Sequence, residues 1–161
     1  MRHGGHSVAA GFTVRLENLE ELKRRLGEIA QEQLTGRDLV PVMTADAEVN
    51  LNSLRQEDVA QLIRHLDGLQ PTGQENPDAA FISRGLRVVN ARPVGGEKQH
   101  LKMSVNDGRI TWDAIAFRQG KWIDAMPSRV DLFYNFERNV YNGNVTLQLN
   151  VRDLKPAGQL L

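Results

Sequence analysis

Cysteine is missing from all 161 residues. That excludes a disulfide framework and a thiolate metal site, and it fits a reducing compartment. Aromatic residues make up only 6% of the chain, and there are four histidines. No apolar run approaches the roughly 18 residues of a membrane span, and no signal-type segment opens the chain. These absences predict a cytoplasmic protein with no membrane partner. Net charge is missing as well, since 20 basic residues balance 20 acidic ones. The balance conceals a division. Residues 1–80 carry 8 Lys and Arg against 13 Asp and Glu, whereas residues 81–161 carry 12 against 7. The net charge changes from −5 to +5 between the halves, and a basic second half suits a polyanionic partner.

What is present is an ordinary globular composition, 40% apolar and 25% charged, with length enough for one or two small domains. The first half has helical periodicity. Phe12–Leu16 reads as a short strand, and Asn18 as an N-cap with Glu21 behind it. Leu19, Leu22, Leu26, Ile29 and Ala30 recur every three or four residues, which predicts a helix over 19–34 ended by Thr35-Gly36. Ala47–Leu51 reads as a second strand. A second helix over 55–67 carries Val59, Leu62, Ile63 and Leu66 on one face, and Gly68 closes it. Pro, Gly and Asn crowd residues 69–77, which places a boundary there.

In the second half the period changes to two. Residues 84–94, 99–106, 109–117, 129–137 and 144–153 are five strand candidates. The clearest alternations are Leu101/Met103/Val105, Val130/Leu132/Tyr134/Phe136 and Val145/Leu147/Leu149/Val151. Asn106-Asp107-Gly108 and residues 141–144 supply hairpin turns, and residues 120–127 allow a short helix. Five strands interrupted in this way suit a small closed barrel, an OB-fold first, with an SH3-like barrel or a split sandwich compatible with the same pattern.

Several blocks carry a resemblance. Gly4-Gly5-His6-x-x-Ala9-Ala10-Gly11-Phe12 resembles the GGHxxAAGF signature of the DHH-associated domain in the DHH phosphoesterase superfamily. Leu69-x-Pro71-x-Gly73-x-x-Asn76-Pro77, followed by Phe81, resembles the segment that joins that domain to an OB-fold in the RecJ family of single-strand-specific exonucleases. His100-Leu101-Lys102, Asp113–Phe117 and the pattern from Leu147 to Asp153 resemble the barrel strands of the same family, in the same order. One junction position departs from the pattern, because Thr72 stands where the family commonly has an aromatic.

The resemblance implies an α+β chain: the remainder of an α/β DHH-associated domain over 1–38, a strand-helix connector over 39–80, a five-stranded OB-fold barrel over 81–156 and a tail over 157–161. It implies the substrate-handling carboxy-terminal part of a metal-dependent 5′→3′ single-stranded-DNA exonuclease acting in repair and recombination. The catalytic DHH domain would precede it, since neither Asp-His-His nor Asp-x-Asp occurs here. Mn²⁺ or Mg²⁺ would belong to that domain, with no catalytic residue and no metal or cofactor site in this chain, which would be inactive alone. The implied partners are single-stranded DNA, the DHH domain of the same chain, and repair proteins. A naturally shortened chain, a stand-alone OB module that binds single strands or docks proteins, and a DHH phosphoesterase of short RNA or cyclic dinucleotides are the alternatives.

Within that frame Gly4, Gly5 and His6 are expected to bind the substrate phosphate. Glycines without Cβ let backbone N–H groups come close to an anion, and an imidazole adds a charge-assisted hydrogen bond. Ala9, Ala10 and Gly11 read as packing residues. His3 and His6 are spaced H-x-x-H, but structural zinc wants four ligands and no metal is expected. His65 reads as a surface residue and His100 as a half-buried strand residue. OB-folds bind single strands by stacking bases on aromatics while basic side chains follow the backbone. Lys102, Arg118, Lys121, Trp122, Arg87 and Arg109 are therefore the expected nucleic-acid contacts, with Trp122 as a plug at the barrel end the competing reading. Trp112, Phe117, Tyr134 and Phe136 are expected in the core.

Overall fold

A computed structural model describes residues 3–6, 9–37, 40–141 and 143–158, and the chain divides into two compact units, Met1–Val42 and Met43–Leu161. In the first unit, strands β1 (His3–His6) and β2 (Ala9–Phe12) form an antiparallel hairpin, with Gly4 opposite Gly11 and Gly5 opposite Ala10. The strand predicted over Phe12–Leu16 thus lies earlier, because the small residues of Ala9–Gly11 pair closely with the glycines, while Leu16 enters a 3-10 turn over Leu16–Asn18. That turn already fixes Asn18, whose side chain makes no cap hydrogen bond.

Helix α1 spans Leu19–Leu34, as its spacing predicts. Ion pairs one turn apart line its polar face: Glu20–Lys23 at 2.8 Å, Glu21–Arg24 at 2.7 Å, Glu21–Arg25 at 2.7 Å and Arg24–Glu28 at 2.6 Å. Hydrogen bonds from Arg24, then Arg25, lower the Glu21 carboxyl from its ordinary 4.5 to about 2. Every basic side chain of this helix is therefore compensated by its own neighbours.

In the second unit, residues 43–80 wrap onto a barrel. Two-residue strand β3 (Ala47–Glu48) runs parallel to the start of strand β4 (Phe81–Val94). The strand expected to reach Leu51 stops early, since Leu51 turns into a 3-10 turn over Leu51–Ser53 and is buried in the core. The Asn50 side chain caps that turn by accepting from the Asn52 N–H. The second helix begins with a 3-10 turn over Gln56–Asp58, and α2 itself covers Val59–Asp67. Its stripe of Val59, Leu62, Ile63 and Leu66 packs against the barrel core. The 39–80 segment drawn as a connector thus contributes from Met43 onward to the same compact unit as the barrel.

The barrel strands are β4, β5 (His100–Asn106), β6 (Thr111–Ala116), β7 (Arg129–Tyr141) and β8 (Asn144–Pro156). Their order is β4-β5-β6-β8-β7, and β7 returns to pair with β4, which closes the sheet. All barrel pairings are antiparallel except β6 with β8. This is a closed five-stranded OB-type barrel in an α+β chain, and the 3-10 turn over Gly120–Ala125 fills the interruption between β6 and β7. The predicted alternations point inward at Leu101, Met103, Val105, Val130, Leu132, Tyr134, Leu147, Leu149 and Val151, which are buried, whereas Val145 at the start of β8 is exposed. Each buried aliphatic side chain contributes roughly 1.5–3 kcal/mol of burial. β4 passes from β7 to β5 at Arg87, just after a bulge between Ser83 and Leu86. There the Gly85 N–H donates to buried Asp131 at 2.7 Å, and Arg129 donates to the Gly85 carbonyl at 2.7 Å.

Candidate nucleic-acid interface

A strand that alternates buried and outward residues displays every second side chain to solvent. On β5, Lys102 stands between buried Leu101 and Met103; on β6, Ile115 stands between buried Ala114 and Ala116. Register joins them in one row across the outer face, Arg92 opposite Lys102, Lys102 opposite Ile115, and Ile115 opposite Asn150. The next row contains Asn90, Ser104 and Asp113, with the Ser104 hydroxyl donating to Asp113 at 3.3 Å.

At one end of this face the β4–β5 loop meets the chain leaving β6. The Gly120 N–H donates to the Gln99 carbonyl at 2.9 Å. A Cβ on Gly120 would stand 2.2 Å from the Lys98 carbonyl oxygen, so only glycine permits this approach. The Arg118 N–H donates to His100 Nδ1 at 3.0 Å, and the His100 ring meets Phe117 edge to face with centroids 5.2 Å apart. Lys98, Arg118 and Lys121 gather here. Lys98 and Arg118, with φ of 55° and 59°, are the two non-glycine residues in the left-handed region among the described residues. Left-handed backbone costs an L-residue roughly 1–2 kcal/mol, so the fold holds two strained cations in its loops.

Phe117 differs from its expected place in the core, for it is 49% exposed on the outer face. Phe117 stands one residue past β6, whose inward residues are Trp112, Ala114 and Ala116, so continuing that alternation turns it outward. Trp112 and Tyr134 are buried, and Phe136 packs against them. Trp122, in the 3-10 turn, is partly buried and packs against the core.

Of the remaining predicted contacts, Arg87 pairs with Asn106 in register and Arg109 sits in the β5–β6 turn, both exposed. They lie at the far end of β5, roughly 20 Å along the strand from His100 at about 3.3 Å per residue. Among the described residues, no carboxylate pairs with Arg87, Arg92, Lys98, Lys102, Arg109, Arg118 or Lys121, in contrast to the compensated cations of α1. Arg92, Lys98 and Phe117 escaped the sequence prediction; strand parity was the signal for Phe117, whereas loop contacts had none.

In the first unit, Gly4 and Gly5 lie in β1, and the His6 side chain lies outside the described residues, as does that of His3. A Cβ on Gly5 would come within 2.9 Å of the Ala10 Cβ, so the hairpin itself demands glycine there. Among the described residues, no group of three or more His, Asp or Glu is placed to hold a metal ion, and no helix is long and apolar enough to cross a membrane.

The RecJ OB domain family matches residues 45–153. The single-stranded-DNA-specific exonuclease RecJ of Bacillus subtilis strain 168 is 28% identical over 152 residues, covering 93% of this chain and 19% of that protein. RecJ of Salmonella typhimurium is 32% identical over 160 residues, covering 97% and 26% respectively. The crystal structure of RecJ with Mn²⁺ from Thermus thermophilus superposes with a TM-score of 0.78 at 26% identity, over 99% of this chain and 22% of that one. The chain thus spans about a fifth to a quarter of the length of the relatives it matches.

Proposed function

The chain belongs to the RecJ OB domain family, and from that premise we infer that it is the substrate-handling part of a metal-dependent 5′→3′ single-stranded-DNA exonuclease. The uncompensated cations around exposed Phe117, on the outer face of a closed barrel, carry this reading. Cations without internal partners leave their full charge to a polyanion, and binding then releases condensed counterions. Phe117 offers a face for a base, His100 braces it from the edge, and Arg92, Lys102, Lys98, Arg118 and Lys121 follow the phosphates.

The proposal gives the hairpin of β1 and β2 a second role, with Gly4, Gly5 and His6 meeting a substrate phosphate. The described residues do not fit a catalytic metal site, and no step is assigned to a metal in this chain. Mn²⁺ or Mg²⁺ belongs to a DHH domain elsewhere in the parent enzyme. This chain alone therefore binds single strands without cutting them, and its place of work is the cytoplasm, where the chromosome is repaired.

The test is fluorescence anisotropy of a labelled single strand against rising salt. Affinity of about micromolar strength, independent of sequence and falling steeply with salt, is expected. Lys102→Glu and Arg118→Glu weaken it without changing the melting temperature. Absence of binding even at low salt would overturn the reading in favour of a protein-docking barrel.

A further inference from the structure

Arg152, on the outer face of β8, has one edge of its guanidinium fixed. Its Nε donates to Asn135 Oδ1 at 2.6 Å. Asn135 is 8% exposed, and its amide donates to the carbonyls of Asp78 at 3.3 Å and Ala79 at 2.8 Å. The asparagine thus ties the junction segment to the barrel and orients the arginine in one unit. Among the described residues no carboxylate pairs with the terminal nitrogens of Arg152. A guanidinium held at Nε presents those two nitrogens as a fixed fork, the geometry that receives a phosphate bidentately.

Arg152 also stands at a seam. On one side, its neighbour Asn150 is the register partner of Ile115 in the basic row, and Phe117 follows Ala116, which pairs with Val151. On the other side lies a cleft of about 620 Å³, lined by Arg152 with Met43, Thr72, Pro77, Asp78 and Phe133. Phe133 and Met43 supply apolar walls. The Asp78 carboxylate would repel a phosphate but accepts a hydrogen bond from the exocyclic amino group of a base.

We propose that Arg152 clamps a backbone phosphate where a single strand leaves the basic face, and that the cleft takes the next base against Phe133. The proposal rests on the outer face being a single-strand site, and it extends the path of the strand over β8 toward the 70–80 junction.

The test uses the 161-residue chain and unlabelled oligodeoxyadenylates of increasing length in competition anisotropy. Affinity rises by about fivefold or more at the length that first reaches the cleft, the gain expected of one stacked base. Arg152→Lys keeps the charge but lacks the fork; this variant and Phe133→Ala lose that gain while binding shorter oligomers like the parent. Met43→Ala, at an exposed position, serves in place of Phe133→Ala if the latter unfolds, and removes part of the gain. Lys102→Glu lowers affinity at every length. A gain that persists in Arg152→Lys and in the cleft variants overturns this proposal alone. Loss of the gain with no effect of Lys102→Glu at any length overturns the outer-face reading instead and leaves the cleft standing by itself.

Discussion

The Ser83 hydroxyl lies 2.9 Å from the Tyr134 hydroxyl and donates to the Val49 carbonyl at 2.6 Å. Since that proton is committed to Val49, Tyr134 donates to Ser83. One buried relay therefore ties residues 43–54 to the middle of the barrel, on strands 51 positions apart in sequence.

Removing the phenol tests the relay. Tyr134→Phe should lower stability by about 1 kcal/mol, because Ser83 keeps its bond to Val49. Ser83→Ala should cost about 1–3 kcal/mol, since it strands both partners in a buried site. Burial pushes the Tyr134 hydroxyl from its ordinary 10 up to about 12. The folded state thus holds the proton longer than the unfolded chain does. Its contribution is full below pH 10 and is lost as pH rises from about 10 to about 12. Chemical denaturation of the parent and of Tyr134→Phe across that range should show the parent's excess stability shrinking with pH; a constant difference would refute the burial of the phenol.

Arg118 pairs strain with charge. Arg118→Gly removes the left-handed strain, so the melting temperature should stay level or rise, by up to about 1 kcal/mol of stability. Single-strand affinity should nevertheless fall several-fold, since a phosphate contact is lost. Differential scanning calorimetry and anisotropy on one preparation decide the matter. A drop in stability would mean that the Arg118 side chain holds the fold.

Asp113 opposes the polyanion from within its own face. Asp113→Asn keeps an acceptor for Ser104 and removes a negative charge one row from Lys102. Affinity for single strands at low salt should rise about two- to fivefold, and the difference should vanish at high salt. Unchanged or weaker binding at low salt would place the strand elsewhere on the barrel.

His6 and Gly5 separate chemistry from packing. In the parent enzyme, His6→Ala should reduce the exonuclease rate about ten- to a hundredfold, the worth of a charge-assisted hydrogen bond in a dry cleft. Its melting temperature should barely move. Gly5→Val should reduce both, because the side chain must displace Ala10 across the hairpin. A normal rate for His6→Ala, or a large fall in its melting temperature, would make the imidazole structural.

Helix α1, the five barrel strands and the inward faces of β5, β7 and β8 were legible in the sequence, because periods of 3.6 and 2 arise from local geometry that neighbouring residues share. The charge division between the halves was legible for the same reason, as a sum needs no coordinates. Strand closure, the parallel pairing of β6 with β8, and the docking of Leu51 and α2 on the barrel depend on contacts between distant residues, which local spacing does not encode. The proposed interface divides along the same line. Lys102 and Arg118 could be named from composition and strand position. The left-handed backbone at Lys98 and Arg118 occurs where Gly120 brings two loops together, and Arg152 acquires its fixed fork only where Asn135 arrives from another strand. Sequence alone determined which residues alternate and which carry charge; tertiary structure decided which cations stay unpaired and where they meet an exposed aromatic ring, because pairing is a property of distance in space.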